Sequence, residues 1–489
     1  MYEIISLTEL GFAGSTPLQE AILIDSTNAV GQKLIQSPLH PDQNVLRQTS
    51  LHLAVWRPQH LTLILERGFD VNAQDWAGRT PLMYAAEAGC IETAISLLRS
   101  GADPWIQDNL FGSHNFINYA VISCHWEFVM AVLDFIRQST LFSTHDVRSL
   151  LNITIVLWAG AGTERRSNDL FCLLNWGADP EVRFTDMWRL FKASGNTLLH
   201  SISSRVHLNA LVNSGFRSFN HANSTGTHGL IAIVGLQTCV LKAHDPHLVQ
   251  DCITSGSRVN HQDNLGRTAL HVVTEAIWES FLFPYFNDSR LRANALNCGE
   301  VLLSNMSEPF LGDHCRCACS TNGCTPSHVL LKEHRQVPDS DQYKMYPLGQ
   351  YAWFLEWHEL VRSIQGLEYV RRRILQDMTR LRRFEELELT HTCCRKPNVR
   401  WAHKGEEWTT LDADEVDEIR CEEKEIIAVL ERQLEDSEPK FDSDFDEVFQ
   451  EELCRLLEIR ARNPRLLIRT EEPTVLAEVS MSNGPWIMG

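Results

Sequence analysis

The stretch DWAGRTPLMYAAEAGCIETAISLLRSGADP (75–104) constrains this chain more than any other, because it recurs. Asp75, Gly78, Thr80, Pro81, Leu82, Ala85, Ala86, Gly89, Leu97, Leu98, Gly101, Ala102 and Asp103 set a pattern. It returns in NVLRQTSLHLAV (44–55) with GFDVNAQD (68–75), and in GSRVNHQDNLGRTALHVV (256–273). Fainter copies stand at GSTPLQEAI (14–22), GNTLLHSI (195–202) and NWGADPEV (175–182). With the Thr slot as origin, units are placed at Thr16, Thr49, Thr80, Asn115, Thr154, Thr197, His228, Thr268 and Thr325. Successive gaps of 33, 31, 35, 39, 43, 31, 40 and 57 residues give a period near 33, with insertions in the longer units. Units this small cannot bury their own apolar faces, so they must stack.

Each residue type in the pattern has a physical task. Thr caps a first helix, and Pro in its first position has φ already set where no N–H is missed. Ala85 and Ala86 let neighbouring helices approach, and Leu97 and Leu98 fill the space between layers. Gly68, Gly101, Gly177 and Gly256 suit the left-handed end of a second helix. The segments Asp75-Trp76-Ala77-Gly78 and Asp263-Asn264-Leu265-Gly266 read as turns that project as fingers.

These residues resemble the ankyrin repeat over roughly 10–335. The resemblance implies an all-α solenoid of about eight or nine units, several degenerate, and a protein-binding scaffold without chemistry of its own. Contacts in that family come from finger tips and the concave face, where this chain carries Trp76, Arg79, Trp105, Phe111, Asn264 and Arg267. Trp and Arg are enriched in binding hot spots, although Trp76, Trp105 and Phe111 could equally pack on each other. His52, His200, His271 and His328 fill the fourth slot of the TPLH-like tetrapeptide, where the resemblance implies hydrogen bonds between repeats.

The last gap holds the insertion SNMSEPFLGDHCRCACSTNGC (304–324). Alternate side chains of an extended segment share a face, which places Cys315, Cys317 and Cys319 together, with Cys324 following across a turn. Further on, THTCC supplies His391, Cys393 and Cys394. The combination of CxCxC, GCTP and THTCC resembles a group of fungal ankyrin-repeat proteins in which both elements occur, so Cys393 or Cys394 could complete a site begun by the first four. Three readings stay open: packed reduced thiols, structural zinc, or disulfides. The cofactor expectation is therefore none, or structural zinc. A metal- or thiol-dependent enzyme is the rival class, but no feature assigns Asp313 or His314 the role of base. A recruitment adaptor, for example in ubiquitylation, is a third reading, and no F-box-like segment supports it.

Beyond about residue 340, Trp353, Trp357, Leu360, Ile364, Leu367, Val370, Ile374, Met378 and Leu381 recur at helical spacing and predict a capping module over 336–400. Arg371, Arg372, Arg373, Arg380, Arg382 and Arg383 are expected to face outward. Of the net charge of -19, 406–458 carries 21 acidic against 5 basic residues, leaving the remainder near neutral. That excludes a basic nucleic-acid footprint. Within 401–472, Asp412 with Glu415 predicts a helix start. Val416, Ile419, Ile426, Leu430 and Leu434 lie on one side of it, and a second helix near Ser443 buries Phe445, Val448, Phe449, Leu453, Leu456 and Leu457. These helices are expected to pack on the arginine-rich one, the rival being a solvated acidic tail. The stretch 473–489 is expected to be disordered. The opening MYEIISLTELGF has no secretory pattern, and the apolar windows 150–162 and 228–241 are too short to span a bilayer. The expected setting is intracellular, cytoplasmic or nuclear, with another protein as partner and neither nucleic acid nor membrane.

Overall fold

The computed structural model describes residues 14–25, 27–36, 43–110, 114–160, 167–184, 194–239, 245–282, 289–333, 357, 359–361, 363, 367–392, 413–436 and 445–462. The chain divides into two compact units, Met1–Arg189 with Asn196–Ser218, and Leu190–Gly195 with Phe219–Gly489. Among the described residues the structure is helical, and extended pairing is confined to the isolated bridges Phe184–Asn196 and Ala222–His228.

The first unit holds α1 (Pro17–Leu23), α2 (Thr27–Gln36), α3 (Ser50–Leu53, extended by a 3-10 turn), α4 (Pro58–Glu66), α5 (Pro81–Glu87) and α6 (Ile91–Arg99). It continues with α7 (Phe116–Ile122), α8 (Trp126–Gln138), α9 (Thr144–Gly160), α10 (Ser167–Asn175) and α11 (Arg205–Asn213). Helices α1, α3, α5 and α7 stack in succession, and α2, α4, α6 and α8 form a second row. The caps explain where first helices begin. Thr16 accepts from the Gln19 N–H, Thr80 from Met83, and Asn115 from Ile117 and Asn118. Each such cap contributes about 1 kcal/mol. Ala85, Ala86, Leu97 and Leu98 are fully buried between the rows, as their sizes require.

The unit placed at Thr154 is corrected. Thr154 lies inside the 17-residue α9, and its hydroxyl donates to the Leu150 carbonyl at 2.8 Å. A hydroxyl bonded one turn back cannot cap a helix start.

The second unit begins with α12 (Gly229–Cys239), α13 (Pro246–Thr254), α14 (Ala269–Leu282), α15 (Ser289–Asn305) and α16 (Pro326–Glu333). Here α12, α14 and α16 stack, with α13 and α15 beside them. The chain then supplies α17 (Leu367–Glu386), α18 (Ala413–Glu422), α19 (Lys424–Glu435) and α20 (Phe445–Arg462). Helix α17 packs on α16, and α19 and α20 pack on α17. The apolar side of α17 (Ile374, Leu375, Met378, Leu381, Phe384) is buried, as are Leu430, Phe449, Leu453 and Leu456. Thr325, capping α16 through the His328 N–H, donates to Asp377 of α17 at 2.7 Å. Burial raises that carboxyl above the ordinary carboxylate range.

The outward-facing arginines are corrected in part. Arg380 and Arg382 are only 8% and 3% exposed. Arg380 Nη1 meets Glu431 at 3.1 Å, and Arg382 Nε meets Glu452 at 2.6 Å. The cause is that α17 has neighbours on more than one side, so flanking positions are covered too. Arg372 is exposed, Arg373 and Arg383 are half-buried, and Ile426 in the first turn of α19 is also exposed rather than packed. Asp412 and 473–489 lie outside the described residues. No described helix is long and apolar enough to cross a membrane.

Candidate functional site

One turn recurs at the finger before each well-formed first helix. In Asp75–Arg79 the Asp75 Oδ1 accepts from the Ala77 and Arg79 N–H groups, both at 2.8 Å, while Asp75 N–H donates to the Arg79 carbonyl at 3.0 Å. Asn44–Gln48, Asn223–Thr227 and Asp263–Arg267 repeat the arrangement. Each finger also hands a backbone hydrogen bond to the one before it. Trp76 N–H reaches the Leu46 carbonyl (3.0 Å), Asn109 reaches Ala77 (2.9 Å), Asn264 reaches Thr225 (3.0 Å) and His314 reaches Leu265 (2.9 Å). Much of the fingers' backbone is thus paired internally, which leaves their side chains as the main groups to meet a partner.

The expected contact residues separate on this geometry. Trp76 stands 56% exposed on its finger. Arg79 is occupied: it pairs with Asp75 (3.3 Å) and Glu87 (3.2 Å) and lies over the Tyr84 ring at 4.3 Å. Arg267 is held likewise by Asp263 at 2.8 Å, and the Asn264 amide donates to the Ser224 carbonyl. Trp105 is half-buried at the base of its finger, and Phe111 lies outside the described residues. Sequence reasoning missed Val45 (69% exposed), Leu46 (42%) and Leu110 (46%), which occupy the neighbouring finger tips. Their spacing from the Asn/Asp slot was the available signal.

Two of the slot histidines, His52 and His271, act as inter-repeat links. Thr49 N–H donates to His52 Nδ1 (3.0 Å), so the proton sits on Nε2, which donates to the Arg79 carbonyl of the following repeat (3.0 Å). His271 does the same between Thr268 and the Cys324 carbonyl (2.9 Å). Burial lowers both imidazoles below the ordinary value of 6.5. Burial likewise pushes the isolated thiols Cys252 and Cys298 up to about 12, which suits inert packing.

The cysteine insertion is an enlarged version of the same turn. Asp313 Oδ1 accepts from Cys315 (3.0 Å) and Cys324 (2.7 Å), and Asp313 N–H donates to the Cys324 carbonyl (3.0 Å). The closing residue, four along from Asp75 or Asp263, is here eleven along, so seven residues bulge from one finger. Gly323, at φ +84°, turns the chain back so closely that a Cβ would strike the Asp313 backbone. The bulge gathers thiols. Ligand atoms of Cys317, Cys319 and His391 lie within 4.8 Å of one another, as do those of Cys319, Cys324 and His328, and of Asp313, Cys315 and Cys324. Cys315, Cys317, Cys319 and Cys324 are all thiols, the last three buried. Cys393 and Cys394 lie outside the described residues. Neither histidine is offered as a ligand by the sequence: His328 is assigned to the repeat slot it shares with His52, and in THTCC only the cysteines are given that role.

The sequence model of the ankyrin repeat matches residues 77–109. Comparison with curated proteins returns no match. Among solved structures, the chain is similar to the crystallised ankyrin repeat domain of Bcl-3, described as a unique member of the IkappaB protein family. The identity is 22%, over 53% of this chain and 94% of that one, with a TM-score of 0.31. The fold is an all-α ankyrin-repeat stack with further helices after it.

Proposed function

We propose that the chain is a protein-binding scaffold whose contact surface is the apolar strip along the first unit's fingers. The supporting observation is the run Val45, Leu46, Trp76 and Leu110, each more than two-fifths exposed, on fingers joined by backbone hydrogen bonds. Ankyrin repeats are in general protein-interaction modules, and repeat stacks bind along extended surfaces. Exposed apolar side chains held on a rigid backbone lose little entropy on binding, which favours a protein partner presenting apolar groups. The proposed activity is binding, not catalysis.

Trp76→Ala combined with Leu110→Ala tests it by quantitative affinity capture against the wild type. The melting temperature should be unchanged, because both side chains are exposed, while at least one captured partner is lost. An unchanged set of partners from the folded double variant overturns the strip.

A further inference from the structure

We propose that the enlarged finger of the last repeat is a structural zinc site, with Cys317, Cys319 and His391 as ligands and Cys324, which neighbours Cys319 but stands outside that trio's mutual 4.8 Å, drawn in as the fourth. The Cys317 Sγ–His391 Nδ1 separation is 3.7 Å. Zinc with bonds of about 2.3 Å to sulfur and 2.0–2.1 Å to nitrogen has a tetrahedral S–N edge of roughly 3.6 Å, so this pair is already spaced as two ligands of one ion. Cys319 is near both Cys317 and Cys324, which makes it the centre of the set. Soft thiolates with one imidazole select zinc over the hard divalent cations.

The surroundings suit the charge that results. On binding, three thiols release their protons to solvent and His391 ligates through neutral Nδ1, its proton on Nε2. Three thiolates and one Zn²⁺ leave the site with a net charge of -1. The buried Arg380 donates from Nε to the Ala318 carbonyl at 3.0 Å, between Cys317 and Cys319 in the chain, and, with its Nη groups shared by Glu431, offsets that charge in part. Cys315, whose sulfur accepts the Cys317 N–H at 3.3 Å, and Asp313, whose Oδ1 already accepts two N–H groups, serve the loop rather than the ion. Cys317 also lines a cleft of about 420 Å³, which gives metal and chelator a route in. The ligands come from the finger and from the segment after α17, so the ion would staple the helical module to the last repeat.

The full chain, purified under reducing conditions with zinc present, should carry about one zinc per chain by atomic emission, in line with a four-ligand structural site. Cys317→Ser, Cys319→Ser and His391→Ala should each lose it, and Cys124→Ser should keep it. Chelation of the wild type should lower its melting temperature, and cobalt substitution should give the visible bands of tetrahedral thiolate coordination. The half-exposed His391 guards against a trivial folding failure, since its variant can be checked for retained helicity. Wild-type stoichiometry near zero, zinc retained in folded Cys319→Ser or His391→Ala, or a disulfide at Cys317 in non-reducing peptide maps would each overturn the assignment.

Discussion

Asp75→Ala is the sharpest test of the finger turn. The buried carboxylate satisfies the Ala77 and Arg79 N–H groups at 2.8 Å each, accepts the Tyr84 hydroxyl at 2.8 Å, and meets Arg79 Nε at 3.3 Å. Truncation orphans two backbone donors and a phenol in a place water reaches poorly. At about 1–3 kcal/mol for each buried group left unmet, with partial rescue by solvent, the loss should be roughly 3–5 kcal/mol. For a unit of about 200 residues that is a fall of roughly 10 °C in melting temperature. Asp75→Asn keeps the Oδ1 acceptor and should lose only about a third as much, since the backbone bonds survive. Arg79→Ala removes a partly exposed ion pair and should cost about 1 kcal/mol or less. Chemical denaturation gives the magnitudes, and amide exchange at Ala77 and Arg79 gives the location. If Asp75→Ala costs under about 1 kcal/mol, or Asn is as damaging as Ala, the carboxylate does not hold the turn.

The same geometry sets other outcomes. His52 and His271 have folded values depressed below 6.5, so the unfolded chain takes up protons first as pH falls. Stability should be level above about pH 6.5 and decline below it by up to about 1.4 kcal/mol per pH unit for each histidine; His52→Gln should flatten the denaturation profile in that window. Arg47 holds φ +59° where the equivalent Gly78 holds +79°, so Arg47→Gly should stabilise by about 0.5–1 kcal/mol in urea titration. Gly226→Ala would set a Cβ 2.6 Å from the Asn264 backbone nitrogen at φ +75°, and should cost about 2 kcal/mol or more in the same assay. Arg382→Ala removes the nearest partner of Glu452 in a largely buried pair, leaving Thr379 at 3.4 Å and Arg455 at 3.8 Å, and should cost about 2–3 kcal/mol, against under about 1 for Arg383→Ala at the helix surface; equal losses would return the acidic helices to the role of a solvated tail.

The residues that were legible act over short distances. Thr80 and Asn115 cap their own helices, and Ala85 and Ala86 pack by size alone, whereas the shared face expected of Cys315, Cys317 and Cys319 is broken by a turn at 318–319 that groups Cys317 with Cys319 and leaves Cys315 beside Cys324. What stayed hidden depends on partners remote in the chain. Arg380 and Arg382 lie beside the apolar stripe of α17, and helical periodicity alone assigns that flank to solvent. Their burial is set by Glu431 and Glu452, 51 and 70 residues away. Thr154 has the right residue type at a plausible spacing, yet the long α9 leaves it mid-helix, where the hydroxyl finds a carbonyl instead of open N–H groups.

His328 shows how a repeat pattern can conceal a neighbour of the thiols. His52 and His271 each reach the carbonyl just before the next first helix, so in a continuing stack the slot is fully explained by architecture. His328 fills that slot in the last repeat, but the element packed next against α16 is α17 rather than another finger, and the His328 ring lies with Cys319 and Cys324. The same residue type in the same register thus meets a different chemistry, only because the stack stops there. Repeat ends are where a pattern built for neighbours has to be satisfied by something else. In this chain that role falls to a helix carrying buried charge and to a finger lengthened by seven residues, and the thiols gather where the two meet.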